Sequence, residues 1–175
     1  MVDGAVWVAA FTGGTAVLAS WVTTLGNTRA ARAQAETTEQ AQRRSRIREL
    51  RRAAYLDVME QAHITSRLYY RVYDAYVQLA EPEARLARFE ELRVELRAAY
   101  DPFMRSVRVV VLEGPAPAAE AAETVLQAAA TANGALWRIA RGQDGARARF
   151  DDAQTDFLRR LEQFVETARG AMEGA

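Results

Sequence analysis

The sequence contains no cysteine, no lysine and a single histidine, His63. Without cysteine the chain has no disulfide, no thiolate metal site, no iron–sulfur cluster and no cysteine nucleophile. Without lysine it has neither a Schiff-base lysine nor the lysine of a phosphate-binding loop. A single histidine excludes a site that needs several imidazole ligands from one chain. These absences predict a non-enzymatic protein with no catalytic residue, no metal and no other cofactor.

Glycine and proline are also scarce, with 10 Gly and 4 Pro among 175 residues. This excludes collagen-like chains and Gly/Pro-rich low-complexity chains. Hydrophobic residues make up 50% and charged residues 26%, which is ordinary for a folded protein and excludes wholesale disorder. The length favours one compact domain.

Charge is missing from one stretch near the N-terminus, because no ionisable side chain lies between Asp3 and Arg29. About 20 apolar residues suffice for a helix to cross the hydrocarbon core of a bilayer. We therefore predict a transmembrane helix at 5–26 after a short extracytoplasmic N-terminus at 1–4. A cleaved signal peptide and a buried soluble helix are the alternatives; a signal peptide favours a basic residue before its apolar run, where this chain has Asp3.

Positive charge follows the predicted span directly. Residues 27–52 hold eight arginines and three glutamates, whereas 1–26 hold one charge. The positive-inside rule predicts a cell-membrane protein with its N-terminus outside and its C-terminal domain in the cytoplasm. Because residues 27–46 contain almost no large apolar side chain, we predict a charged, solvated helical stalk there.

Small residues repeat at intervals of four along the predicted span. Such faces let helices approach closely in lipid and associate by packing. The abundance of Ala and Gly in membrane helices is the simpler explanation. The residues predicted to pack in this way are Ala9, Gly13, Ala16 and Ser20.

From 47 to 175 the pattern predicts an all-α fold, an antiparallel up-down four-helix bundle. Apolar side chains recur every three or four residues, starting at Ile47 and Leu50 and resuming at Leu86. Turn signals fall at 81–82, 113–117 and 142–145, and loops this short join antiparallel neighbours. A kink or a short break is predicted at Pro102. The last helix repeats apolar residues at nearly 3.5, which is coiled-coil spacing.

Two groups of polar residues could suggest chemistry. Glu60 and His63 have the Glu-x-x-His spacing of di-iron bundles, but those sites need a second such motif and further carboxylates. The simpler interpretation is that His63 is a polar or boundary residue. Asp151, Asp152 and Asp156 could suggest a cation site, yet acids in the first turns of a helix are explained by the helix dipole.

An arginine-rich segment and a tyrosine cluster are the candidate interaction sites. The arginines could contact anionic lipid, nucleic acid or an acidic protein surface. The favoured interpretation is that they lie on a solvated stalk and fix the orientation of the protein in the membrane. Nucleic acid is not expected as a partner, because no groove-reading motif is present. The tyrosines suit either the boundary of a bundle or a protein interface. The candidate residues are Arg43, Arg44, Arg48, Arg51, Arg52, Tyr69, Tyr73 and Tyr76.

Three segments carry a resemblance to a known family: GTAVLASWVTTLGNTRAARAQAE at 14–36, RRAAYLDVMEQA at 51–62 and VRVVVLEGP at 107–115. With them the chain resembles the small single-pass actinobacterial membrane proteins of the KilB-like type. The resemblance implies a membrane-associated role in conjugative plasmid spread between cells. It supplies no catalytic residue.

Taken together, the sequence predicts a non-enzymatic, single-pass, membrane-anchored helical scaffold or protein-interaction module. Its expected partners are the lipid bilayer and either another protein or a second copy of itself. No small-molecule substrate is evident. A KilB-like component of plasmid transfer and a ligand- or metal-binding helical bundle are the alternatives.

Overall fold

The computed structural model describes residues 3–173, with side chains at 34 and from 37 to 173. Over these residues it contains four helices and no strand, so the predicted all-α, four-helix fold class is confirmed there. The helices are α1 (Asp3–Gln78), α2 (Pro82–Glu113), α3 (Ala116–Ala140) and α4 (Ala146–Glu173).

The chain divides into two compact units, Met1–Arg46 and Ile47–Ala175. Where side chains are described, no helix is both long enough and apolar enough to cross a membrane. The predicted span at 5–26 lies outside those residues, and so do its packing residues Ala9, Gly13, Ala16 and Ser20. The candidate sites below all belong to the second unit or to the arginines just before it.

Prolines set two of the helix boundaries. A residue that precedes proline is disfavoured in the helical region, and Glu81 before Pro82 has an extended backbone with ψ 123°. Proline itself fits the first helical position, because the N–H that it lacks would have no partner there. At α3 the prolines take other positions: Pro115 is the extended N-cap residue, and Pro117 is the second helical residue, whose N–H would also lack an intrahelical partner.

Proline has a different effect inside α2. The helix continues through Pro102 from Pro82 to Glu113, so the short break considered from the sequence does not occur. The residues that follow, Phe103 and Val107, are buried. Burial of this apolar face stabilises the helical path despite the backbone hydrogen bond that proline cannot donate.

Contacts at both ends of the second unit show that α1 and α2 run in opposite directions. At one end the ring of Tyr76 in α1 packs 4.9 Å from that of Phe89 in α2. At the other end Arg51 Nε in α1 donates to the carbonyl oxygen of Glu113 in α2 at 2.8 Å. α2 therefore returns along α1 over the length of the second unit.

Aromatic rings from three helices meet at the centre of the core. Phe157 of α4 is fully buried. The centre of its ring lies 5.5 Å from that of Tyr69 in α1 and 6.4 Å from that of Phe103 in α2. Both pairs are edge-to-face, the arrangement that aligns the positive edge of one ring with the negative face of another.

Small side chains make α3 narrow. Six of its nine buried residues are alanine, which lets neighbouring helices approach its backbone. Tyr69 of α1 uses this space, because its hydroxyl lies 3.0 Å from the carbonyl oxygen of Ala129. Apolar residues that recur every three or four positions along α3 are buried, as such a period predicts. They are Ala122, Val125, Ala129, Ala132, Leu136 and Ile139.

Three residues predicted to face the core are exposed instead: Ile47, Leu50 and Leu86. The reason is clearest for the first two. Arg51 contacts the last residue of α2, so Ile47 and Leu50 precede the part of α1 that α2 covers. An apolar stripe in the sequence can thus begin before the partner helix that would bury it.

Candidate interaction face

The arginine-rich segment is a solvated part of α1. Arg43, Arg44, Arg48 and Arg52 are exposed, and none forms an ion pair within the part of the chain with described side chains. Their guanidinium groups are therefore available to a partner.

Arg51 differs from the other arginines because it is half-buried and has a structural partner. Its hydrogen bond to the carbonyl oxygen of Glu113 satisfies one of the acceptors that a helix leaves unpaired at its C-terminus. A cation at this position also complements the helix dipole. Arg51 is thus engaged in closing the end of α2.

The three candidate tyrosines occupy three different environments. Tyr69 is fully buried, which removes it from any surface that a partner could contact on the closed bundle. Tyr76 is half-buried between the guanidinium groups of Arg147 at 4.5 Å and Arg85 at 5.8 Å. Only Tyr73 is exposed. Steps of three and four place the three tyrosines on the same side of α1. The spacing does not show which part of that side the neighbouring helices cover.

Burial changes the acidity of these hydroxyls. It raises the pKa of Tyr69 above the ordinary tyrosine value, and nearby Tyr100 adds to the increase. Burial also raises the pKa of Tyr76, against the opposing effect of Arg147 and Arg85. Burial raises the pKa of Tyr55 as well, so the hydroxyls of Tyr55, Tyr69 and Tyr76 are all neutral at physiological pH.

Two buried tyrosines offer a matched test of the core. The Tyr69 hydroxyl has acceptors at Ala129 and at Asn133 Oδ1, whereas the Tyr55 hydroxyl is buried without a hydrogen-bond partner among the described residues. We expect Tyr69→Phe to lower the free energy of unfolding by about 1–2 kcal/mol and Tyr55→Phe to leave it unchanged or raise it by up to about 1 kcal/mol. Urea unfolding followed by circular dichroism measures both. The reverse order of stabilities would contradict the assigned hydrogen bonds.

The outward side of α1 carries a row of exposed residues spaced by steps of four and three. Leucine, histidine, tyrosine and valine recur every seven residues in this row, and a charged residue stands between each pair. We call it the outer row. It consists of Arg52, Leu56, Glu60, His63, Arg67, Tyr70, Asp74 and Val77.

Charges alternate in sign along the outer row, in the order plus, minus, plus, minus. The four charged members form no ion pair with any described residue. The apolar members are well exposed, with Leu56 at 53%, Tyr70 at 54% and Val77 at 68% of their full area. An exposed apolar and charged row of this length can contact another helix.

The polar groups considered for metal binding remain separate. Glu60 and His63 are exposed on the outer row, and no group of three or more His, Asp or Glu side chains within the described part of the chain could hold a metal ion. Asp156 contacts Arg159 and Arg160, and the hydrogen bond from Arg159 is the main cause of its lowered pKa.

The outer row was missed by sequence reasoning that looked for clusters of one residue type. The sequence does contain a signal for it: on the side of α1 opposite the core, the residues of the row recur with an average period of about 3.5. No protein-family model matches the sequence, and comparisons with curated proteins and with solved structures find no similar chain. The resemblance to KilB-like proteins therefore stays a prediction from the sequence.

Proposed function

We propose that the protein is a non-enzymatic, membrane-anchored helical scaffold whose bundle associates with a second copy through the outer row. The observation that carries this proposal is the order of charges in the row. Read in the opposite direction, the row presents each charge to its opposite, so an antiparallel copy is its natural complement.

The antiparallel register follows from the spacing. With His63 of each copy at the two-fold axis, Leu56 lies opposite Tyr70 of the second copy. In the same register Arg52 is opposite Asp74, and Glu60 is one residue, about 1.5 Å along the helix, from the position opposite Arg67. Each pair occurs twice by symmetry. Helix–helix interfaces usually combine apolar contacts with pairs of opposite charges beside them. A parallel register would instead place each charge beside its own copy.

Scaffolding follows from this geometry. Residue 47 lies 16 residues before the axis, which is about 24 Å along the helix at 1.5 Å per residue. The second units of the two copies therefore begin roughly 48 Å apart, and the dimer links two separate points. The membrane anchor is proposed from the sequence alone, from the uncharged stretch at 5–26 and the arginines that follow it.

Charge reversal tests the proposed dimer. We expect Glu60→Arg and Arg67→Glu each to weaken dimerisation of the full-length protein in mild detergent by about tenfold, because each places like charges together twice. The double variant restores the pair with its signs exchanged, so it should dimerise within about threefold of the original. Sedimentation equilibrium provides the measurement. A double variant as weak as the sum of the two single variants would overturn the pairing.

A valine pair supplies the matched control. Val77 on the outer row and Val94 on α2 are both exposed, at 68% and 70% of their full area. Val77→Glu should weaken dimerisation, since it introduces an acid at the edge of the interface, whereas Val94→Glu should not. If both variants weakened dimerisation equally, the effect would come from added negative charge in general and not from the outer row.

Single cysteines distinguish the two registers, and the chain has no cysteine of its own to interfere. In the antiparallel register His63→Cys lies at the axis and should form a covalent dimer on mild oxidation. Tyr70→Cys should not, because two copies of residue 70 lie about 21 Å apart along the helix. Covalent dimers from both variants would indicate a parallel pair instead.

Membrane anchoring needs its own experiment. Full-length protein should stay in the membrane pellet after carbonate extraction, and a C-terminal reporter pair should give active fluorescent protein and inactive alkaline phosphatase. Recovery from the culture medium in a form about 30 residues shorter would indicate a cleaved signal peptide and reverse the localisation.

A further inference from the structure

A cavity of about 340 Å³ opens between α2 and α3, away from the outer row. Its volume falls within the range of about 300–1,000 Å³ that is typical of small-molecule sites. Basic and aromatic side chains stand at its edge, and small ones form part of its wall. The lining residues that matter here are Arg93, Arg97, Tyr100, Ala130, Gly134 and Trp137.

The cavity exists because two neighbouring positions on α3 carry almost no side chain. Ala130 and Gly134 are one turn apart, and a Cβ atom added to Gly134 would meet no other atom within 4 Å. Glycine is the poorest helix former apart from proline, so this position costs helix stability. Ala130 is exposed and Gly134 is half-buried, so the cavity is open to solvent on this side.

The charged residues that line the cavity are two arginines, Arg93 and Arg97, and one acid, Asp101, so their sum favours an anionic ligand. Arg97 has no ion-pair partner among the described residues, whereas Arg93 contacts Glu90. Trp137 supplies a flat apolar wall, and the guanidinium group of Arg141 lies 4.3 Å from the centre of its ring. An arginine binds a carboxylate through two parallel hydrogen bonds.

We propose that this cavity binds a small aromatic carboxylate. The ring system would lie against Trp137 in the space beside Gly134, and the carboxylate would accept hydrogen bonds from Arg97. Tyr100 places a further hydroxyl at the cavity edge. The site uses no residue of α1, so its failure would leave the proposed dimer untouched.

The probe is 2-naphthoate, with 2-naphthamide as the uncharged analogue and cyclohexanecarboxylate as the non-aromatic one. Full-length protein with Trp7→Phe and Trp21→Phe keeps Trp137 as its one tryptophan, since the chain has 3. We expect 2-naphthoate to shift the indole N–H resonance of Trp137 saturably, with a dissociation constant below about 1 mM. Both analogues should bind at least about fivefold more weakly.

Two variants test the assigned roles. Gly134→Leu fills the cavity and should weaken 2-naphthoate binding more than about twentyfold, whereas Arg97→Gln should weaken it about tenfold. Gly170→Ala is the control, because Gly170 lies on α4 with open space around it. No saturable shift up to several millimolar probe, equal binding of the amide, or unchanged binding by Gly134→Leu would each overturn the proposal. Arg97 is exposed, so its variant remains informative even where Gly134→Leu disturbs folding.

Discussion

Phe157→Ala should lower the free energy of unfolding by about 3–5 kcal/mol, the largest effect that we expect from any single substitution in the bundle. Phe157 is fully buried at the meeting point of three helices, with Tyr69 and Phe103 packed edge-on against its ring. Truncation removes both aromatic pairs and leaves a cavity that α-helical neighbours cannot collapse without shifting.

Thermal unfolding of the full-length protein in mild detergent, followed by circular dichroism at 222 nm, is the appropriate measurement. We expect the midpoint to fall by roughly 10–20 °C. Leu112→Ala serves as the control, because Leu112 is 80% exposed and its truncation should change stability by less than about 0.5 kcal/mol. Similar losses for the two variants would mean that Phe157 does not occupy the core.

Gly114→Ala should destabilise the protein by about 1–3 kcal/mol, although it adds only one methyl group. Gly114 follows α2, and its N–H donates to the carbonyl oxygen of Val110 at 2.8 Å. A Cβ atom at this position would lie 2.6 Å from that same oxygen, with the Tyr55 hydroxyl 3.5 Å away. Because the nearest atom belongs to the backbone, the turn itself must shift and its hydrogen bond must lengthen.

Glycine to alanine at Gly134 should stabilise the protein, in contrast to the same change at Gly114. Gly134 lies inside α3 with no atom near the position of an added Cβ, so Gly134→Ala should raise the free energy of unfolding by about 0.5–1 kcal/mol. Chemical denaturation of the two variants gives the comparison. A stabilising Gly114→Ala would show that the chain does not pass close to Val110 after α2.

Helix number and helix ends were predictable because they depend on local chemistry. Prolines at 82 and 115 and glycines at 142 and 145 mark the turns, and the two glycines adopt positive φ angles of 65° and 69°. The buried faces of α3 and α4 also followed from their apolar periods. These features need only the few residues around them.

Features that depend on how two helices pack against each other were not predictable from one sequence. Tyr69 reaches the core because α3 is narrow at Ala129, 60 residues along the chain. Ile47 and Leu50 stay exposed because α2 ends beside Arg51. The cavity beside Gly134 likewise requires the distance between α2 and α3, which periodicity does not contain.

The connections between the helices also bear on how quickly the bundle folds. Neighbouring pairs such as α2–α3 and α3–α4 are joined by short turns, so their contacts close small loops at little entropic cost. The contacts of Tyr69 with Phe150 and Phe157 join residues more than 80 positions apart and so close much longer loops. The contacts between α1 and α4 therefore close the longest loops, and in the nascent chain they form only after α4 has been synthesised, whereas α1 can already pair with α2.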